Sequence, residues 1–407
     1  MTNLQKHKLG ELLDVTRGAS LPGANYSTSG SLIRLTLGNF DEKGGWKANT
    51  SKDNLFYTGQ VASRFILKEG DIITPLTEQT PGLLGSTARV PESGKYIQSQ
   101  DVALVKCNPA LLDENFAYYL ISSPSVKKQL GAASQQTKIR HTSPDKIKEC
   151  IVYIPNIDYQ KKAGSLLGRI DEKISTNKKI IKTLSDIART IYEYWFLQFE
   201  FPDGTGTPYK SSGGKMVWNK ELKREIPEGW KVNRLPDCSD VRYGFPLSTE
   251  HFCNTGMPVV RIRDIIGNSI SAYTTECVDD VFLTKSGDLL IGMDGNFQMN
   301  YWNRTGDCVN QRIVRIRRTS VPVMLIRFQI EPIIQHSVDS VARSTVGHLS
   351  DKDIKNLFIL CPTSTVNLTV FEKTLTEICN LKSENQQLVS LRDFLLPLLM
   401  NEQVKIG

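Results

Sequence analysis

No apolar run in this chain of 407 residues approaches the roughly 20 residues that cross a bilayer, and the opening MTNLQKHKLG lacks the apolar core of a secretory signal. A cytoplasmic protein without membrane contact is expected. The eight cysteines, at 107, 150, 238, 253, 277, 308, 361 and 379, form no CxxC pair, which argues against a zinc finger or a disulfide framework. His251 and Cys253 have a metal-like spacing, but no second pair stands nearby. Catalytic signatures are missing as well. There is no GxGxxG opening a helix, no P-loop, no GxSxG, and no NPPF or DPPY tetrapeptide of the kind that holds a target base for amino-methylation. Gly204 and Gly206 make a bare GxG, which signifies a turn. Pro202-Asp203 followed by Glu221-Leu222-Lys223 reproduces the PD…ExK spacing of metal-dependent nucleases, yet segment 201–230 shows no apolar strand to hold the carboxylates around Mg²⁺. No active site is legible, so a non-catalytic protein is expected. The charge excess is small, 50 basic against 43 acidic residues or +7, and permits a polyanionic partner without requiring one.

What the chain does contain is a repeat. SPDKIKECIVYIP at 143–155 returns as SDKDIKNLFILCP at 350–362, an offset of 207 that aligns Ser143 with Ser350, Ile147 with Ile354 and Pro155 with Pro362. Further blocks recur in the same order. LGELLDVTRGASL (9–21) answers LPDCSDVRYGFPL (235–247), LIRLTLGNF answers VVRIRDIIGN, KEGDIIT answers KSGDLLI, and QSQDVALV answers CVNQRIVRI. The offset drifts from 226 to 207, so one domain has been duplicated and its connecting loops have diverged by insertion and deletion.

Each copy opens with short runs rich in Val, Ile and Leu, punctuated by Gly, Pro and Asn, as strands joined by turns are. GDIIT and GDLLI predict a turn followed by a buried strand. ENFAYYLISSPSVKKQL (114–130) has amphipathic helix spacing, and PVMLIRFQIEPIIQHSV occupies the same slot in the second copy. The fold class is therefore α+β, two tandem repeated domains of mixed sheet plus helices. After each copy the pattern changes. Leu167, Ile170, Ile174, Asn177, Ile181, Leu184, Ala188 and Ile191 follow one another by 3 and 4 residues, a heptad seam. Phe371, Leu375, Ile378, Asn385, Leu388, Leu391, Leu395 and Leu398 repeat the pattern, and at an offset of 208 Leu167 meets Leu375 and Asn177 meets Asn385. Each domain thus precedes a long helix, roughly 60 Å in the first case. The matched asparagines suit a register-fixing pair in an antiparallel coiled coil. The expected segments are a first domain at 1–156, its helix at 157–200, a Gly/Ser/Thr/Pro-rich linker at 201–229, a second domain at 230–363 and its helix at 364–401.

These features together resemble the specificity subunit of type I restriction-modification enzymes. The most specific blocks are TKIRHTSPDKIKECIVYIPNIDYQKKAGSLLGRIDEKISTN (137–177), IPEGWKVNRLPDCSDV (226–241), TVGHLSDKDIKNLFILCP (345–362) and ENQQLVSLRDFLLPLL (384–399). The resemblance implies two target-recognition domains, each reading one half of a split double-stranded DNA sequence, and a coiled coil that sets the gap. It also implies two methyltransferase subunits on the helices and motor-nuclease restriction subunits beside them, with S-adenosylmethionine, ATP and Mg in those partners and no cofactor in this chain. One departure is visible: Gln160-Lys161 opens the first helix, whereas the second copy has TVNLTVFEK, which leaves that helix's start open.

Reading bases needs polar side chains on loops able to enter a groove, with Lys and Arg on phosphate. In the first copy the candidates are Asn39, then Thr77, Glu78 and Gln79 in TEQTPG, then Lys138, Arg140 and His141. The matching places in the second are Arg263 and Asp264, then Asp294, Asn296 and Gln298 in DGNFQ, then Arg343 and His348. Arg315 and Arg317 alternate on one strand face and are expected to meet phosphate or solvent. Two rivals stand beside this reading, a coiled-coil adaptor that binds only proteins and a nuclease using the carboxylates of 201–230.

Overall fold

The computed structural model describes residues 4–41, 44–49, 54–79, 81–133, 140–341, 348–363 and 365–406. The chain forms two compact units, 1–173 together with 388–407, and 174–387.

In the first unit Gly70 adopts positive φ (+85°) and the Asp71 carboxylate accepts the Lys68 amide at 2.8 Å, closing the turn that launches strand Ile72–Pro75. Ile72 and Ile73 point to opposite faces and enter two separate apolar cores, which explains a run apolar on both faces. That strand sits in an antiparallel sheet ordered Leu13–Arg17, Val102–Cys107, Ile72–Pro75, Ala88–Arg89. A second, mixed sheet runs Tyr26–Ser27, Phe56–Tyr57, Ile33–Arg34, Tyr96–Ile97, its last pair parallel. Gln5–Lys8 pairs with Ile151–Ile154.

The second unit repeats all three patterns. Ser239–Tyr243, Ile313–Arg318, Leu289–Gly292 and Met299–Tyr301 form the antiparallel sheet. Phe252–Cys253, Ala272–Thr274, Met257–Val260 and Cys308–Val309 form the mixed one, and Lys231–Arg234 pairs with Phe358–Cys361. Asp288 closes the matching turn on the Lys285 amide at 2.6 Å. The duplication inferred from sequence is thus a duplication of topology.

Helices Ile157–Tyr192 and Thr369–Met400 contribute to both units, and in each they pair antiparallel. Leu167 and Ala163 pack with Leu399 and Met400 in the first unit's core; Ala188, Tyr192 and Phe196 pack with Phe371, Leu375 and Ile378 in the second's. Ile170 and Ile174 are buried, Ile181 and Leu184 half-buried against that second core, and Leu388 half-buried. Asn177, fully buried, donates to Asn385 at 3.0 Å and to the Glu384 carboxylate at 2.7 Å, as the matched seam positions predict. The expected seam breaks at Leu391, which is 46% exposed. Arg392 takes the interhelical place instead, its guanidinium 2.9 Å from Asp171. A cluster of amides fastens the second helix to its own unit. Gln386 donates to the Asn268 carbonyl at 2.6 Å, and half-buried Lys382 donates to Asn300 at 2.8 Å, desolvation lowering its pKa to about 8.

Two local expectations change. Segment 114–130 is two helices, Glu114–Ile121 and Pro124–Ala133, because Pro124 cannot continue the first. Its counterpart is one helix, Val323–Val341, which passes through Pro332. The segment expected as a linker holds a hairpin, Met216–Asn219 with Arg224–Pro227, and Phe199, Phe201, Ile226 and Trp230 are buried in the second core. Phe201 and Trp230 rings lie 4.8 Å apart, so aromatic contact anchors a stretch whose Gly and Ser content suggested a free chain.

Candidate nucleic-acid interface

Four of the first-copy candidates converge because residues 140–141 pair with residues 77–78, His141 opposite Thr77 and Arg140 opposite Glu78. The Glu78 carboxylate is buried and accepts the amides of Gly82, Leu83 and Leu84 at 2.9, 2.9 and 3.0 Å, with Arg140 at 3.6 Å. It holds the loop rather than facing a ligand. Its neighbour Gln79 is exposed and, with His141, lines a cleft of about 390 Å³. Arg34, stacked on Tyr26 at 4.0 Å, and Ser99, Gln100 and Asp101 form other parts of the wall.

Glu78→Ala is expected to cost about 2 kcal/mol, since charge-assisted bonds to three amides are lost. Amide exchange at Gly82, Leu83 and Leu84 should accelerate. Unchanged exchange would mean that the carboxylate is not what shapes the loop.

The second unit builds a matching cleft of about 270 Å³, lined by Arg261, Ile262, Arg263, Asn310, Arg312 and Ile313. The turn Ile262–Asp264 is locked by the buried Asp264 carboxylate, which accepts the Arg261 amide at 3.0 Å and the Ser271 hydroxyl. The same device appears in the first unit, where Asn39 accepts the Thr36 amide at 2.9 Å. Asp294 bridges His348, at 2.8 Å, and Arg312, at 3.8 Å. Backbone pairing of Asp294 with His348 is the counterpart of Thr77 with His141.

The structure therefore sorts the sequence candidates. Gln79, His141, Arg263, Asn296 and His348 are exposed, and Arg140, Asp294 and Gln298 half-buried. Asn39, Thr77, Glu78 and Asp264 are corrected to scaffold: they are buried, with backbone or side-chain groups consumed in turns and strand pairs. Lys138 and Arg343 lie outside the described residues. Arg315 is also corrected. It is buried against Asp240 at 2.8 Å and near Asp288, which Arg317 grips with two bonds of 2.8 Å. Asp203 of the nuclease-like spacing binds Thr205 and Thr207 through amides and hydroxyls at 2.7 to 3.1 Å, which lowers its pKa to about 2; its oxygens close a turn. Among the described residues no group of three or more His, Cys, Asp or Glu could hold a metal ion.

Sequence reasoning missed Ser99, Gln100 and Asp101, and Asn310 and Arg312. The parallel pairing of Ala19 with Ser99 and of Phe245 with Asn310 places these segments equivalently, so Asp101 corresponds to Arg312. The signal was available, because QSQD and VNQR stand at matching places in a repeated block and differ in charge.

Residues 1–186 match the type I restriction modification DNA specificity domain. The chain is 24% identical over 316 residues to the type I restriction enzyme MjaIX specificity subunit of Methanocaldococcus jannaschii, spanning 72% of this chain and 69% of that protein. It is 19% identical to the type I restriction enzyme HindI specificity subunit of Haemophilus influenzae, spanning 83% and 87%. The fold is that of the crystal structure of a type I restriction-modification system S subunit from M. genitalium, with a TM-score of 0.58 at 15% identity over 100% of this chain and 97% of that one. From the duplicated topology, the paired helices and these matches together, the chain is similar to the specificity subunits of type I restriction enzymes, and its residues 1–186 match their DNA specificity domain.

Proposed function

We propose that this chain is the DNA-recognition subunit of a type I restriction-modification complex. Its domains, taken as 1–156 and 230–363, each read one half of a bipartite double-stranded target. The paired helices set the gap and carry two methyltransferase subunits, and motor-nuclease restriction subunits complete the assembly. S-adenosylmethionine, ATP and Mg²⁺ act in those partners, and this chain contributes binding without catalysis, in the cytoplasm. Among the described residues no helix is long and apolar enough to cross a membrane.

One observation carries the reading. The two clefts rest on the same scaffold, closed by Asn39 in one and Asp264 in the other, but their walls differ in charge and reach. Gly38 stands where the second unit has Arg263, and Asp101 where it has Arg312. A protein-only adaptor needs no such arrangement. Two readers of different half-sites need it, because phosphates position while base edges specify. His141 and His348, which recur in both copies, suit the feature common to both half-sites, the sugar-phosphate backbone.

Binding by the assembled complex is expected to be steeply salt-dependent. If each unit neutralises about two phosphates, the affinity falls about 100-fold between 50 and 200 mM salt. A titration over that range with target and scrambled duplexes tests both claims. Flat salt dependence, or equal affinity for the two duplexes, would favour the adaptor.

A further inference from the structure

We infer that the cleft of the second unit reads a guanine, and that Arg263 is the residue that reads it. The inference rests on the DNA-recognition reading above and goes further, to one base and one side chain.

Both half-sites of a duplex present the same phosphates, so side chains that serve the backbone have reason to recur in both copies. Side chains that differ on an otherwise conserved scaffold face what differs, the base edges. Position 263 is one that differs. Its counterpart is Gly38, where a Cβ would lie 2.7 Å from the Asn49 amide nitrogen, so a side chain there would displace Asn49 from its 2.7 Å bond to Thr36.

Arg263 is also presented rigidly. Asp264 pins the turn from within, and Arg261 is tied to the Ser271 carbonyl at 2.7 Å. Behind the turn Gly292 leaves a Cβ position 3.0 Å from Ile262, so the backbone packs closely. Arg263 itself is exposed and has no ion pair or hydrogen bond among the described residues, and no carboxylate lines its cleft. Arg312 differs in this respect, because Asp294 faces it at 3.8 Å. A free, forked, positively charged donor on a fixed turn matches the paired acceptors O6 and N7 that guanine alone presents in the major groove. Asn310 beside it can contact a neighbouring base.

The test is methylome sequencing of cells that express the chain with its methyltransferase, as wild type, Arg263→Ala and Arg263→Lys. The expected wild-type result is a bipartite methylated sequence with a guanine at a fixed place in the half-site that survives exchange of residues 1–156. Arg263→Ala should relax that one position, abolishing a discrimination of about 5- to 150-fold. The other half-site should stay unchanged and serve as the folding control. Arg263→Lys keeps the charge but loses the fork, so it should stay relaxed. Equal loss of methylation at all sites in the alanine variant, restored by lysine, would make Arg263 a phosphate contact and overturn the inference while leaving the two-reader account intact. Relaxation in the other half-site, or none, would also overturn it. A wild-type methylome with no bipartite sequence would sink the underlying reading itself.

Discussion

Asp288→Ala should destabilise the second unit by about 3–5 kcal/mol, whereas Arg315→Leu should be neutral or stabilising. The asymmetry follows from the repeat. Asp288 is 2% exposed; it closes the turn on the Lys285 amide and binds Arg317 through both oxygens, with Arg315 at 3.9 Å. Removing it leaves Arg315, 1% exposed, with only Asp240 as an acidic partner among the described residues. The first unit shows how the site looks without the extra charge. Asp71 closes the same turn and pairs with Lys106, and Leu104 stands where the second unit has Arg315. A leucine fits this scaffold, so the arginine adds a buried charge that the fold does not need. Thermal and urea denaturation of the two variants, beside an Asp14→Ala control at an exposed ion pair, would measure the difference. The control should shift by less than about 1 kcal/mol. Equal losses for Asp288→Ala and Arg315→Leu would show that the pair acts as one indivisible unit.

Exchange of residues 1–156 for the corresponding segment of a relative should replace one half of the methylated sequence completely and leave the other untouched. Gln79, Gln100, Asp101 and His141 travel with that segment, while Arg263, Asn310 and Arg312 remain. The structure adds a condition on the donor. Leu399 and Met400 pack into the first unit's core with Phe116, Leu120 and Val152, so the incoming segment must offer apolar residues of similar volume there. Gln160 must also find its partners, because it is buried and bonds the Pro155 and Leu111 carbonyls and the Asp113 amide at 2.8 to 3.2 Å. A donor that meets both conditions and still alters both half-sites would contradict two independent readers.

The duplication and both long helices were legible in the sequence, because apolar period and repeat order survive divergence. GDIIT and GDLLI became paired buried strands, and Asn177 met Asn385. Polar candidates were harder to place. Asn39, Glu78 and Asp264 look like surface residues by type, yet their partners lie within a few positions along the chain and consume them. A spacing of three residues from Thr36 to Asn39 and from Arg261 to Asp264 was the available sign, since a polar side chain at the third position of a turn can reach back to the first amide. Asp101 and Arg312 were missed for the opposite reason. Parallel strand pairing brings their segments to the cleft across long stretches of chain, so no local pattern reports them and only the charge difference between QSQD and VNQR in the aligned copies marks them.

The most direct test of the central claim is the methylome of cells carrying the intact chain and the methyltransferase of the proposed complex. Two separate specified half-sites divided by an unspecified gap of constant length are expected. One continuous recognition sequence, or methylation indifferent to sequence, would contradict the account.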